Sequence, residues 1–288
     1  MTEIKDTENL IKLLDDNDEF VYHHVRNKLL EAGNDAIPAL MMGLTNDNPL
    51  LNERIKNIID EIYFSEVDVK FKELSEKKDG ILEEAVFLIA NFGYPEMDMK
   101  KYQSELDEMS TKLNVSIDKM KLNPLIPQDD PLQIIKIINH FLFYQQGFKG
   151  NTENFYEPEN TFFNDVMDRK KGIPISLSIL YLLICKRLNL PTYGVNLPAH
   201  FIIKYVDERD EFYIDPYNNG IVISKSEAIK FLSRIGLTKE DFDSISFLKI
   251  ADDKDIIKRS LNNLVNIYTR SGDTQKTEQL KKIMSYFE

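Results

Sequence analysis

Cysteine and histidine are scarce in this sequence of 288 residues, which contains one cysteine and four histidines. The single thiol, Cys185, excludes an intramolecular disulfide framework and a cysteine-rich metal site, and it suits a reducing compartment. No apolar run approaches the ~20 residues that a membrane-spanning helix needs. The N-terminus is acidic rather than basic and apolar, which is unlike a signal peptide. We therefore expect a cytoplasmic protein that does not cross a membrane.

Positive charge is also in deficit. Lysine and arginine total 36 against 48 aspartates and glutamates, which gives a formal net charge of -12. Phosphate binding draws on clustered lysine and arginine, so this balance argues against a nucleic-acid partner. A chain of this length can bury a sizeable core and could hold two domains.

The apolar residues are concentrated between Lys170 and Asp215. Residues 175–188 are apolar almost all round, which predicts a helix buried on most faces, with Pro174 in its first turn. After Pro191 the pattern changes to the short runs 201–203 and 212–214, joined by the polar residues 207–210, and this predicts a β-hairpin. Residues 220–224 predict a short third strand.

Helical patterns occupy most of the remaining chain. We predict helices over 19–30, from Ala36 with Pro38 in the first turn, over 50–62, 82–90, 99–109, 132–144, 161–169 with Asn160 as N-cap, 226–235 with Gly236 as the stop, 253–270 and 275–286.

His200 and Asp215 are the residues best placed for chemistry. If the hairpin turn centres on Asp207 and Glu208, His200 lies opposite Asp215 within about a step of register. The carboxylate would then fix one imidazole nitrogen and orient the other. Such a pair supplies a base and its orienting group, but no nucleophile.

A nucleophile would stand at the start of the buried helix, where the helix dipole and free N–H groups activate a thiol. Ser176 is the nearest candidate. It acts either as a nucleophile with His200 as base or as a cap for free N–H groups. Cys185 lies roughly 13 Å further along the helix axis at about 1.5 Å per residue, inside an apolar run, and reads as a buried inert thiol.

The remaining histidines predict no site. His23 and His24 are adjacent on a helix and point in different directions, and His140 lies near a helix end. The glycines lack the spacing of a phosphate-binding loop. We expect neither a cofactor nor a metal.

Four phrases of the sequence resemble the transglutaminase-like superfamily, and more closely its SirB-type branch: ENTFFNDVMDRKKG, GIPISLSILYL, GVNLPAHFIIKY and YIDPYNNG. The resemblance covers about residues 80 to 275. It implies a transglutaminase-like or papain-like core coupled to a tetratricopeptide segment, and a related domain in certain F-box proteins. Active members carry cysteine at the helix start, where this sequence reads Gly172-Ile173-Pro174-Ile175-Ser176. Separately, GNDAIPALMMGLTNDNPLLNERIKNIIDEI resembles a HEAT-type helical repeat.

These observations predict an α+β, predominantly helical protein with a small antiparallel sheet. We expect a HEAT-like region at 1–75, a transglutaminase-like domain at 76–250 with a helical lead-in at 76–145 and a core at 146–250, and a tetratricopeptide-like hairpin at 251–288. The leading functional hypothesis is a non-catalytic interaction or regulatory module with a protein partner. The alternatives are a hydrolase or acyltransferase that uses Ser176, His200 and Asp215, and a binder of a small ligand or peptide in the vestigial cleft.

Overall fold

The computed structural model describes residues 9–44, 47–125, 127, 130–234 and 248–288. The chain forms two compact units, of which the first ends at Glu73 and the second begins at Leu74. The predicted boundaries at 75 and 250 stay predictions. No helix among the described residues combines the length and the hydrophobicity that crossing a bilayer requires.

The first unit is helical. Residues 9–13 are helical. They are followed by α1 (Glu19–Ala32), a 3-10 turn (Gly33–Ala36), α2 (Ile37–Gly43) and α3 (Pro49–Ser75). The core is aliphatic, with Leu14, Leu29, Leu40, Ile55 and Ile58 fully buried. The helix predicted at 50–62 is longer than expected because the sequence from 50 to 75 contains neither glycine nor proline to end it.

The second unit contains the remaining helices of the described residues. They are α4 (Leu82–Gly93), α5 (Met99–Lys121), α6 (Pro131–Asn139), α7 (Phe163–Arg169), α8 (Pro174–Arg187), α9 (Lys225–Arg234), α10 (Asp253–Ser271) and α11 (Thr274–Ser285). A π-helical turn, His140–Gln145, continues α6. The predicted end of α9 at Ile235 and Gly236 lies outside the described residues.

Helix α8 is the buried centre of this unit, as predicted. Every residue from Pro174 to Cys185 is buried. Helices α5, α7 and α10 and strands β3 (Thr192–Leu197) and β4 (His200–Val206) pack around it. An apolar helix surrounded in this way loses contact with water on all sides, which explains why its sequence has no polar stripe.

Within the part of the chain that the structure describes, the main sheet has five strands. Besides β3 and β4 they are β5 (Glu211–Asp215), β6 (Ile221–Ile223) and β7 (Ile250–Ala251). Their order is β6-β5-β4-β3-β7, and all neighbours are antiparallel. Two further strands, β1 (Lys149–Gly150) and β2 (Lys171–Gly172), pair in parallel next to the start of α8. The predicted fold class, α+β with a predominance of helix, is confirmed.

The predicted register of the hairpin is wrong. Val206 pairs with Glu211, so the turn contains the four residues from Asp207 to Asp210 instead of the two residues, Asp207 and Glu208, on which the prediction centred it. The side chain of Asp207 stabilises this wider turn, because its Oδ1 accepts hydrogen bonds from the N–H groups of Arg209 and Asp210, both at 2.8 Å. Continuing the observed register places Asp215 opposite Ile202.

Candidate functional site

His200 and Asp215 are in direct contact despite the change in register. His200 opens β4 directly after a tight turn at Pro198 and Ala199, and Asp215 closes β5. The two residues are diagonal neighbours on one face of the sheet, a separation that long side chains can bridge. His200 Nε2 lies 2.8 Å from Asp215 Oδ2, and the residues are only 7% and 6% exposed.

The carboxylate of Asp215 accepts further hydrogen bonds from the turn that follows it. Oδ2 accepts from Asn218 Nδ2 at 2.7 Å, while Oδ1 accepts from the N–H groups of Tyr217 at 3.1 Å and Asn218 at 3.3 Å. Burial alone would raise the pKa of the Asp215 carboxyl, but the hydrogen bonds from His200 and Asn218 outweigh it and lower the pKa below its ordinary value. Asp215 is therefore held as an anion.

Tyr217 connects this pair to the irregular segment before α7. Its ring meets the imidazole of His200 edge to face at 6.2 Å between centroids, and its hydroxyl donates to the carbonyl of Asn151 at 3.1 Å. Gly150 lies directly against the ring, since a Cβ at this position would come within 2.6 Å of it. Burial, followed by the charge of Asp215, raises the pKa of the Tyr217 hydroxyl.

The polar contacts continue to the start of α8. Asn151 Nδ2 donates to Asn160 Oδ1 at 2.9 Å, and Asn160 Nδ2 donates to the carbonyl of Asn154 at 2.6 Å. Asn160 therefore does not cap α7 as predicted. Phe162 occupies the N-cap position of α7, while Asn160 is fully buried in a 3-10 turn, Pro158–Asn160.

Ser176 stands at the end of this chain of contacts. Its Oγ donates to the carbonyl of Asn160 at 2.6 Å and accepts from the N–H of Ile173 at 3.0 Å. A hydroxyl has one proton, and here that proton points to a backbone carbonyl. The accepted bond satisfies one of the free N–H groups at the helix start. The structure thus joins His200 with Asp215 and gives Ser176 the hydrogen bonds of a helix cap.

Comparison with known proteins places this arrangement in a family. The model of the transglutaminase-like superfamily matches residues 100–262, which is more than half of the chain. The chain belongs to the transglutaminase-like superfamily. The match includes α8, both members of the His200–Asp215 pair and the Asn160 turn, so the prediction is confirmed at the level of the superfamily.

The relatives of this transglutaminase-like chain include bacterial and animal proteins. A UPF0162 protein of Xylella fastidiosa strain Temecula1 is 28% identical over 187 residues, which are 64% of this chain and 63% of the relative. F-box only protein 21 of Homo sapiens is 27% identical over 163 residues, 54% of this chain and 25% of that protein. A UPF0162 protein of Vibrio cholerae is 38% identical over 84 residues, 28% of this chain and 31% of the relative.

The chain spans less than two thirds of the length of each of these curated relatives. No solved structure matches the chain at a significant level.

The single cysteine of this transglutaminase-like chain is buried in α8. Burial raises the pKa of the Cys185 thiol to about 12, so the thiol stays protonated near neutral pH. Among the described residues, no group of three or more His, Cys, Asp or Glu side chains is arranged to hold a metal ion. His23 is exposed and lies 3.6 Å from Glu19, and His140 stacks on Tyr144.

The sequence pattern predicts His200 and Asp215 as members of the site but not the residues that hold them. Tyr217 and Asn218 lie in the YIDPYNNG phrase, and Asn151 lies in a segment rich in asparagine and aromatic residues. The available signal was the recurrence of asparagine at positions 151, 154 and 160 before the buried helix. This pattern did not reveal that Asn151 and Asn160 bond to each other.

Proposed function

We propose that this chain is a non-catalytic member of the transglutaminase-like superfamily that acts as a protein-interaction or regulatory module. The observation that carries the proposal is the hydrogen bonding of Ser176, whose hydroxyl donates to the Asn160 carbonyl at 2.6 Å and accepts from the Ile173 N–H at 3.0 Å. The residue is 2% exposed. A serine nucleophile instead needs its hydroxyl bonded to a base and accessible to substrate.

Two other features support the proposal. The helix start reads Gly172-Ile173-Pro174-Ile175-Ser176 and contains no thiol. The contacts of Asp215 support a structural role for the His200–Asp215 pair, because Asp215 caps the turn at Pro216–Asn218 and bonds the side chains of His200 and Asn218. A satisfied buried pair stabilises a fold whether or not it once served catalysis.

We further propose that the chain belongs to the SirB-type branch, with a HEAT-like N-terminal region and a tetratricopeptide-like C-terminal hairpin. The support is α2 with Pro38 in its first turn, followed by α3, and the packed pair α10 and α11 around Gly272. Helical repeats of these kinds present surfaces to protein partners. The single free thiol supports a cytoplasmic location, where thiols stay reduced.

The second candidate is a hydrolase or acyltransferase that uses Ser176, His200 and Asp215. One observation favours it. His200 Nε2 lies 2.8 Å from Asp215 Oδ2, and a carboxylate in this position orients an imidazole that acts as a general base. In this mechanism the Ser176 proton would first have to leave the Asn160 carbonyl and turn to the imidazole.

A panel of ester and amide substrates tests the two candidates. The proteins to compare are the wild type, Ser176→Ala, His200→Gln and Ser178→Ala. Ser178 serves as the control because it is a buried serine on the same helix and bonds the Phe201 carbonyl. We expect no turnover that separates the four proteins. Turnover that Ser176→Ala and His200→Gln abolish and Ser178→Ala retains would establish the enzyme instead.

A further inference from the structure

A groove of about 530 Å³ runs between the end of α5 and the segment that α6 forms with the π-helical turn after it. We call this segment, residues 131–145, the α6 segment. Its floor is apolar, with Met120 from α5 and Ile137 and Phe141 from the α6 segment. His140 and Gln145, the first and last residues of the π-helical turn, both line it. A π-helical turn is uncommon and often marks a functional site. The groove is separate from the His200–Asp215 pair.

The groove is basic although the chain is acidic. Lys119, Lys136 and His140 line it, and the described lining residues include no carboxylate. Lys136 and His140 are four residues apart along the helical segment and so share a face. Neither Lys119 nor Lys136 has an ion-pair partner within the part of the chain that the structure describes. In a protein with a net charge of -12, two such lysines make a local site for negative charge.

Two large exposed side chains adjoin the groove-lining residues, one in the sequence and one by ring stacking. Leu122 is 83% exposed and lies between the lining residues Met120 and Asn123 in the sequence. Tyr144 is 72% exposed and stacks on His140 at 5.7 Å between ring centroids. An exposed aromatic ring stacked on a groove-lining residue is a feature of protein-binding surfaces.

We propose that this groove docks a segment of a partner protein that carries carboxylates next to an apolar side chain. The carboxylates pair with Lys119 and Lys136, and the apolar side chain enters the floor at Ile137 and Phe141. The inference rests on the proposed function as an interaction module and gives that module a surface. A polyanion such as nucleic acid fits less well, because the net charge of the whole chain repels it.

Fluorescence anisotropy with a defined probe tests this proposal. The probe is a fluorescein-labelled peptide in which glutamate and leucine recur at helical spacing, measured against the full chain. Two matched peptides replace every glutamate by lysine or every leucine by serine. The groove variant is Lys119→Glu with Lys136→Glu. The control is Lys100→Glu with Lys281→Glu, which makes the same change in charge, with Lys100 roughly 28 Å from Lys119 along α5.

We expect the probe to bind the wild type and the control variant with affinities within about twofold. The groove variant should bind at least about tenfold more weakly, because like charges then face each other. Added salt should weaken binding, and the lysine and serine peptides should both bind more weakly than the probe.

Absence of probe binding to the wild type, or equal weakening in the groove and control variants, would overturn the proposal. Equal binding of the serine peptide would also overturn it, because it would reduce the groove to a site for simple anions. None of these results affects the proposed non-catalytic function, which fails only if turnover depends on Ser176.

Discussion

The carboxylate of Asp215 accepts four hydrogen bonds at the candidate site. Two side-chain donors and two backbone donors converge on its carboxylate, and they come from β4 and from the turn after β5. Hydrogen bonds to a charged group contribute about 1.5–3 kcal/mol each, and a buried donor that loses its partner is costly. The residue therefore stabilises this end of the sheet.

Asp215→Asn tests the structural role of this carboxylate. The variant should lose on the order of 2 kcal/mol of unfolding free energy at pH 7, since the amide cannot accept all four bonds. The folded pKa lies below the ordinary value of about 3.9, so this contribution is complete above that value and disappears as the pH falls through the folded pKa. Urea unfolding of both proteins at pH 7 and at about pH 3 measures the difference.

The stability difference between wild type and Asp215→Asn should thus shrink at the lower pH. A difference that is equal at both values, or larger in acid, would mean that the ionised carboxylate does not stabilise the fold.

At the scale of elements, the contact between Gly150 and Tyr217 holds β1 against the turn after β5. The ring occupies the space where any other residue at position 150 would place its Cβ. The hydroxyl then reaches the carbonyl of Asn151, the next residue. The position of the Tyr217 ring, and with it the hydrogen bond of the hydroxyl, therefore depends on glycine at position 150.

Gly150→Ala should destabilise the protein by about 1–3 kcal/mol, because the new methyl group displaces the Tyr217 ring. In a Tyr217→Leu background the same substitution should cost much less, since the ring that it strikes is gone. Thermal and urea unfolding of the four proteins in this cycle give the coupling energy. Strictly additive costs would show that the two residues do not act together.

Elements that follow from local pattern could be predicted from the sequence, and those fixed by distant contacts could not. Helix α8 was predicted because burial on all sides leaves an uninterrupted apolar run. Strand β3 was not predicted, and its residues Gly194 and Asn196 are of types that are uncommon in strands. The structure shows that Gly194 is required there, since its Cβ would lie 2.6 Å from the ring of Phe201. Such a contact leaves no trace in a local pattern.

The candidate site shows the same division between features set by local pattern and features set by distant contacts. His200 and Asp215 were brought together correctly although the register was wrong, because a shift of two positions leaves both side chains on one face of the sheet. Asn160 was assigned to the wrong role, because a preference for N-cap positions is local. Its side chain is instead held by Asn151 and Asn154, whose positions depend on the folded segment.

For the whole molecule, a network of buried and partly buried hydrogen bonds connects the sheet to the start of the central helix. It runs from Asp215 through Tyr217, Asn151 and Asn160 to Ser176. Each step is a hydrogen bond between two residues, and the contacts of Tyr217 with Asn151 and of Ser176 with Asn160 link separate segments of the chain. Such a network specifies one arrangement of the core, and in doing so it engages the hydroxyl that a serine mechanism would need.

Reaction of the native protein with a fluorophosphonate, followed by intact and peptide mass spectrometry, tests the central claim most directly. This reagent forms a covalent adduct with a serine that a neighbouring base has activated. We predict no adduct on Ser176 after prolonged incubation, because its proton is bonded to the Asn160 carbonyl and the residue is buried. A stoichiometric adduct on Ser176 that is absent from His200→Gln would contradict the account and establish a serine enzyme.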